Sequence, residues 1–195
     1  MDKLIVVTHP GHLSGEIETC KELFDCGLER LHVRKYQWGE EEITKWLKHF
    51  SKDELSRMVI HHQQAIFEKM DLGGLHLRYM KEFAFTKRSD QTFSCSVHTW
   101  QEAEIALNFC DYIFISPVFD SISKLAYKQN TELLRVPDHL VGKKIFALGG
   151  IDNTNIHKVY EMGYYGAVIL GYIWNSIDGA VDNFNTLKLL GTRGN

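Results

Sequence analysis

A chain of 195 residues with 44% hydrophobic and 24% charged residues fits one globular domain, residues 1–195, that can bury a full core. The formal charge of −3 gives no reason to expect a nucleic-acid partner. No apolar run approaches the roughly 18 residues of a membrane span, and the run near the start is too short for a signal peptide. We therefore expect a cytoplasmic protein without a membrane partner.

The cysteines agree with a reducing compartment. Cys20, Cys26, Cys95 and Cys110 form neither a CxxC pair nor a zinc-finger spacing, and each lies beside apolar residues. We predict buried thiols rather than metal ligands or disulfides.

Strand and helix patterns alternate along the whole chain. Short apolar or alternating runs predict β-strands at residues 4–8, 30–35, 58–62, 74–78, 92–98, 111–119, 143–151 and 166–170. Amphipathic or capped stretches predict helices at residues 14–26, 40–50, 64–70, 101–109, 130–136, 155–162 and 178–190. The irregular stretch 79–91 is interpreted as an abbreviated crossover. The fold class is thus α/β, a single (β/α)8 TIM barrel with short loops, and an open flavodoxin-like sheet is the alternative.

The stretch 143–151, KKIFALGGI, predicts a buried strand that ends in a glycine pair directly before a helix. Backbone amides can approach a phosphate closely at such a turn, and the helix N-terminus adds positive charge. A second strand that ends in glycine follows, and barrels of this type place a phosphate cup after strands seven and eight. A plain turn and a solvated loop are the alternatives. The predicted phosphate contacts are Gly149, Gly150, Gly171, Ser121, Ser123 and Lys124.

The second strand places two candidate ligand contacts on one face. If Leu31 and Val33 pack outward, then His32 and Arg34 point into the barrel. An unpaired guanidinium there would be costly, so a bound anion would satisfy it, and an ion pair to a neighbouring strand is the alternative.

The other strand ends are rich in imidazoles and cations and poor in carboxylates, which suits an anionic ligand better than a divalent metal. We predict no metal ligands. His61 and His62 are adjacent on a strand and face opposite sides, so at most one of them lines the site.

His98 is the candidate proton-transfer residue. It shares a strand face with Ser94 and Ser96, and imidazole is the usual group for proton transfer near neutral pH. We expect Ser96 to orient the imidazole, and a buried structural histidine is the competing interpretation.

Several strand-end motifs together resemble the thiamine phosphate synthase and TenI (thiazole tautomerase) family. They are HVRK (32–35), GLHL (74–77), SVHTWQEAEIA (96–106), DYIFISPVFDSISK (111–124) and FALGGI (146–151). The resemblance spans most of the chain. It implies a (β/α)8 barrel that binds a phosphorylated thiazole and, in the synthase, a pyrimidine diphosphate with magnesium.

The chain also departs from the synthase pattern. The synthase motif Gln-Leu-Arg-Glu-Lys is replaced by residues 32–36, HVRKY, which keep Arg34 but shift the lysine to Lys35. The Asn-Asp pair that follows strand three in the synthase is replaced by two histidines, and the second metal aspartate falls near Lys81. The TenI branch resembles this chain better, because it shares a His-x-Arg second strand and the Ser-Val-His histidine, here His98.

The resemblance therefore implies a thiazole tautomerase in which His98 moves a proton, Arg34 holds a carboxylate and no cofactor is needed. The alternatives are thiamine phosphate synthase, which would need Mg²⁺, and a catalytically silent barrel that binds a phosphorylated ligand. The sequence leaves open whether the chain forms a homo-oligomer.

Overall fold

Eight parallel strands close into a barrel in the computed structural model, which describes residues 3–80, 86–120 and 130–192. Each strand pairs with its sequence neighbours, and β1 closes the barrel against β8. This order confirms the (β/α)8 barrel and excludes the open sheet. The strands are β1 Leu4–Val7, β2 Leu31–Val33, β3 Met58–His61, β4 Gly74–Arg78, β5 Thr92–Val97, β6 Tyr112–Ile115, β7 Ile145–Leu148 and β8 Gly166–Ile169.

The helices cover the outside of the barrel, and some differ from expectation. The stretch predicted as a helix at 130–136 contains only a 3₁₀ turn, Thr131–Leu133. Two short helices were not predicted, although a capping box between Ser51 and Glu54 starts the first of them. The helices are α1 Glu16–Asp25, α2 Glu40–Leu47, α3 Lys52–Ser56, α4 Gln64–Lys69, α5 Trp100–Ala106, α6 Ile156–Glu161, α7 Gly171–Trp174 and α8 Ala180–Thr192.

Alternation along the strands divides the core into an outer and an inner layer. Leu31 and Val33 pack outward in the layer between strands and helices, as predicted. The inner layer is apolar on the side of β1, β6, β7 and β8, where it contains Ile5, Val7, Tyr112, Phe114, Phe146 and Val168. On the side of β2 to β5 it is polar, with buried His32, His61, His76 and Ser94. The barrel therefore encloses a cluster of imidazoles beneath its mouth.

The four cysteines are free thiols, three of them buried, as the sequence predicted. Among the described residues, none of the helices is both long and apolar enough to cross a membrane.

Candidate functional site

A cavity of about 620 Å³ opens at the carboxyl ends of β1, β2 and β8. This is the end at which barrels of this kind build their sites. Trp174 forms one wall of the cavity, and its position is fixed by a hydrogen bond from its Nε1 to the Val7 carbonyl at 2.6 Å. The lining contains two residues that the sequence singled out, Arg34 and Gly171, together with His9, Pro10, Gly11, Tyr36, Gln37, Leu170, Trp174 and Asn175.

Arg34 lies half-buried at the edge of this cavity. Its backbone N–H donates to Thr8 Oγ1 at 2.9 Å, which joins the ends of β2 and β1. Its guanidinium carbon stands 4.4 Å from the centroid of the Tyr36 ring, a cation–π contact. Among the described residues, no carboxylate forms an ion pair with Arg34. The alternative of an ion pair to a neighbouring strand is therefore not supported there. The guanidinium is a suitable anchor for an anion in the cavity.

Lys35 is not among the described residues that line the cavity. Its ammonium is fully buried and pairs with Glu16 at 2.5 Å, and it also donates to the Gly11 carbonyl at 2.9 Å. Burial raises the pKa of Glu16, while the ammonium opposes that shift. The second Glu16 oxygen accepts from the backbone N–H of His9 at 2.9 Å. The pair therefore holds the β1–α1 loop that forms a wall of the cavity, and Lys35 is not placed to bind a diphosphate.

The imidazole cluster lies below the cavity and is connected by hydrogen bonds. His32 Nδ1 is 3.0 Å from His61 Nε2, and His32 Nε2 is 2.7 Å from the Tyr112 hydroxyl. His76 contacts Ser94 Oγ at 2.8 Å and Ser96 Oγ at 2.9 Å. His32 is therefore a core residue with both nitrogens engaged. The role of His32 as a ligand contact stays a prediction. To contact a ligand, His32 would have to break one of these hydrogen bonds.

Burial keeps this cluster neutral. Desolvation is the largest cause of the lowered pKa values here, and neighbouring imidazoles and guanidiniums act in the same direction. Together they hold the pKa of His32 and His61 well below the usual value for histidine and lower that of His76 to about 3. One ring nitrogen from each of the three lies within 4.8 Å of the others, a spacing that a metal ion could draw together. However, the rings of His61 and His76 stack at 4.1 Å and 22°. Nearly parallel rings do not direct their lone pairs to a single point, and the geometry favours hydrogen bonding.

His98 lies exposed just beyond the end of β5. Its backbone N–H donates to Glu102 Oε2 at 2.8 Å, and Thr99 caps the following helix. Its Nδ1 is 2.9 Å from the Ser116 carbonyl oxygen, which can only accept. Nδ1 must then carry the proton, so Nε2 of the neutral ring is an acceptor. This is the tautomer that a general base requires.

The expected role of Ser96 is wrong. Its hydroxyl contacts His76 rather than His98, and the carbonyl of Ser116 orients the His98 ring instead. The β4–β5 register explains the difference, because Arg78 pairs with Ser96 and His76 with Ser94, which brings the His76 ring between the two serines. Ser96 therefore belongs to the imidazole cluster.

The glycine pair after β7 has a structural explanation of its own. Gly149 and Gly150 have φ values of 106° and 63°. A Cβ on Gly150 would lie 2.2 Å from the backbone oxygen of Asp120, so this turn packs against the β6 loop. Neither glycine is among the described residues that line the cavity, whereas Gly171 is. Ser121, Ser123 and Lys124 lie outside the described residues, so the phosphate site as a whole stays a prediction.

The described strand ends do not fit a magnesium site of the expected kind. Magnesium requires carboxylate or phosphate oxygens in octahedral geometry. The end of β3 supplies His61 and His62, and β4 ends in Arg78. Lys81 lies outside the described residues. The ends of β3 and β4 therefore lack the oxygen ligands that would hold the ion.

The fold and the mouth together define a class: a (β/α)8 barrel that presents a guanidinium in a cavity at the carboxyl ends of its strands and encloses a cluster of buried imidazoles. The family model described as thiamine monophosphate synthase matches residues 4–173. Since this match covers most of the chain, the chain belongs to the thiamine monophosphate synthase (TMP-TENI) family, as the sequence motifs indicated.

Individual relatives agree with this assignment. The thiamine-phosphate synthase of Lysinibacillus sphaericus (strain C3-41) is 27% identical over 129 residues, or 62% of this chain and 61% of that protein. The thiamine-phosphate synthase of Limosilactobacillus reuteri (strain DSM 20016) is 27% identical over 88 residues, and the match covers 41% of its length. The crystal structure of a thiamine phosphate pyrophosphorylase from Bacteroides thetaiotaomicron superposes with a TM-score of 0.81 at 28% identity, over 100% of both chains.

Proposed function

We propose that this chain is a thiazole tautomerase: it binds a phosphorylated thiazole that carries a carboxylate and moves one proton so that the ring becomes aromatic. The observation that carries the proposal is the His98 tautomer. The Ser116 carbonyl holds the proton on Nδ1, and Nε2 is left as a base just beyond the carboxyl end of β5, outside the described lining of the cavity. No cofactor is required for this chemistry.

The reaction moves one proton from one atom of the ligand to another. His98 Nε2 takes the proton from the ring carbon that bears the carboxylate, and the bonding electrons move into the ring. The imidazolium then returns the proton to another ligand atom, so the product is an isomer. General acid–base help of this kind typically contributes about 10²- to 10⁴-fold. Arg34 holds the carboxylate and stabilises the negative charge that develops as the proton leaves.

The test replaces each residue in turn. His98→Asn should reduce turnover by about two orders of magnitude or more and leave affinity for the thiazole phosphate within a few-fold, because the anion contacts lie elsewhere. Arg34→Lys should reduce both turnover and affinity, because an ammonium cannot bind a carboxylate through two parallel hydrogen bonds as a guanidinium does. Isomerisation by His98→Asn at the wild-type rate would refute this role, and His61 or His62 would be the next base to test.

Thiamine phosphate synthesis is the second candidate, and the names of the relatives favour it. The proteins from L. sphaericus, L. reuteri and B. thetaiotaomicron are all named as synthases or pyrophosphorylases. Three assays on the purified chain separate the candidates: thiazole isomerisation, coupling of the thiazole to a pyrimidine diphosphate with Mg²⁺, and ligand binding without turnover. Coupling without isomerisation would establish the synthase, and binding alone would establish a silent ligand-binding barrel.

A further inference from the structure

A continuous series of hydrogen-bonding groups runs from the barrel core to the mouth. It begins at the Tyr112 hydroxyl, 2.7 Å from His32 Nε2, and continues from His32 Nδ1 to His61 Nε2 at 3.0 Å. His61 Nδ1 is then 3.4 Å from the hydroxyl of Tyr36. We call these four residues the imidazole relay. Its outer end, Tyr36, lines the cavity beside Arg34 and is 48% exposed.

Neutral imidazoles restrict the relay to two proton arrangements. A neutral ring has one donor nitrogen and one acceptor nitrogen, and burial keeps both rings neutral. In the outward arrangement His32 and His61 both carry the proton on Nδ1, and Tyr36 accepts from His61 and keeps its own proton to donate. In the inward arrangement both carry it on Nε2, and Tyr36 donates to His61. The two tautomers therefore change together.

His62 shows where Tyr36 can donate. Its φ of 58° is unusual for a residue that is not glycine, and such a backbone persists only where its surroundings maintain it. This conformation stacks the His62 ring on the Tyr36 ring at 5.3 Å and places Nε2 at 3.1 Å from the hydroxyl. The Tyr36 hydroxyl thus has a second hydrogen-bond partner besides His61, and a ligand oxygen can take the place of His62.

We propose that Tyr36 is a further ligand-binding residue, which donates to the same carboxylate that Arg34 holds, and that His32 and His61 are positioning residues that keep its proton directed outward. This role rests on the proposed function, since it requires an anionic oxygen next to Arg34. A carboxylate only accepts hydrogen bonds, so its binding selects the outward arrangement.

The experiment compares two thiazole phosphates, one with the ring carboxylate and one without it, on the full chain. Isothermal titration should show that Tyr36→Phe weakens binding of the carboxylated compound about tenfold, since a hydrogen bond to a charged group is lost. Affinity for the other compound should not change. Tyr172→Phe removes a hydroxyl from α7 that does not line the cavity and should match the wild type for both.

Imidazole ¹⁵N NMR supplies a readout that a structural role would not change. With the carboxylated compound bound, both His32 and His61 should carry their proton on Nδ1. A proton on Nε2 of either ring, or equal affinities for Tyr36→Phe and wild type, would overturn the relay even if Arg34→Lys still weakens binding. If neither compound binds the wild type, the proposed function fails and takes this role of Tyr36 with it.

Discussion

The buried imidazoles should make the barrel sensitive to mild acid. His76 has a pKa of about 3 in the folded protein because burial disfavours its charged form, whereas an unfolded chain binds the proton near 6.5. The unfolded state therefore binds more protons as the pH falls below 6.5. Above pH 6.5, His76 therefore does not lower the free energy of unfolding. Below it, the free energy of unfolding falls progressively, and this loss continues until the pH approaches 3.

The size of the effect follows from these two values. Between pH 7.5 and 5.5 His76 alone should reduce the free energy of unfolding by about 1.4 kcal/mol. His32 and His61 add to this loss with the same sign, since burial lowers the pKa of both. Carboxylates contribute little over this range because they titrate mostly below it.

Urea unfolding at pH 7.5 and 5.5, followed by circular dichroism, measures the difference. His76→Gln keeps a donor and an acceptor for the two serines but cannot titrate, so it should remove about 1.4 kcal/mol of the pH dependence. His157→Gln, which changes an exposed histidine on α6, is the matched control and should retain it. A wild-type stability that is equal at the two pH values, or a pH dependence that is as large in His76→Gln as in the wild type, would refute the reasoning.

Three further predictions concern the turn after β7, the buried ion pair and the metal. In urea unfolding, Gly142→Ala should lower the free energy of unfolding by roughly 1 kcal/mol, and Gly150→Ala should lower it by at least twice as much. Both glycines have a positive φ, but only a Cβ on Gly150 would meet the backbone of Asp120. Glu16→Gln should cost about 3 to 5 kcal/mol by leaving the Lys35 charge buried and unpaired, while the double change Glu16→Met with Lys35→Met should cost much less. Chelation with EDTA should leave isomerisation unchanged, and a strict requirement for Mg²⁺ would support the synthase.

The strand pattern was sufficient to predict the barrel, because each strand of a parallel sheet is a short apolar or alternating run. It also predicted which β2 side chains face inward, since alternation is a local property. Helices α3 and α7 were harder to find, as each has only a few residues and no apolar period. The capping box at Ser51 and Glu54 was the available signal for the first.

The partners of the site residues could not be read from the sequence, because they depend on contacts between distant segments. Alternation indicates that Lys35 faces outward, but only the fold brings it next to Glu16, the first residue of α1. The shared parity of Ser96 and His98 suggested a contact between them. Strand β5 ends at Val97, however, and the ring of His98 turns to the carbonyl of Ser116, the residue that follows the neighbouring strand β6. Tyr36, one residue beyond the HVRK motif, was missed for the same reason.

Charge matching gives a physical argument for choosing between the two proposed reactions. A pyrimidine diphosphate brings several negative charges, and a site for it needs several cations or a metal ion to balance them. Among the described residues of the cavity, Arg34 is the permanently charged cation, and Lys35 is buried in a pair with Glu16. Both reactions use the phosphate of the thiazole, which the predicted phosphate contacts would hold, so the charges that distinguish the two reactions are those of the carboxylate and the diphosphate. One guanidinium and one phenol hydroxyl match a single carboxylate in charge and in hydrogen-bond direction. This balance favours the tautomerase, and a diphosphate that bound more tightly than the carboxylated thiazole phosphate without Mg²⁺ would contradict it.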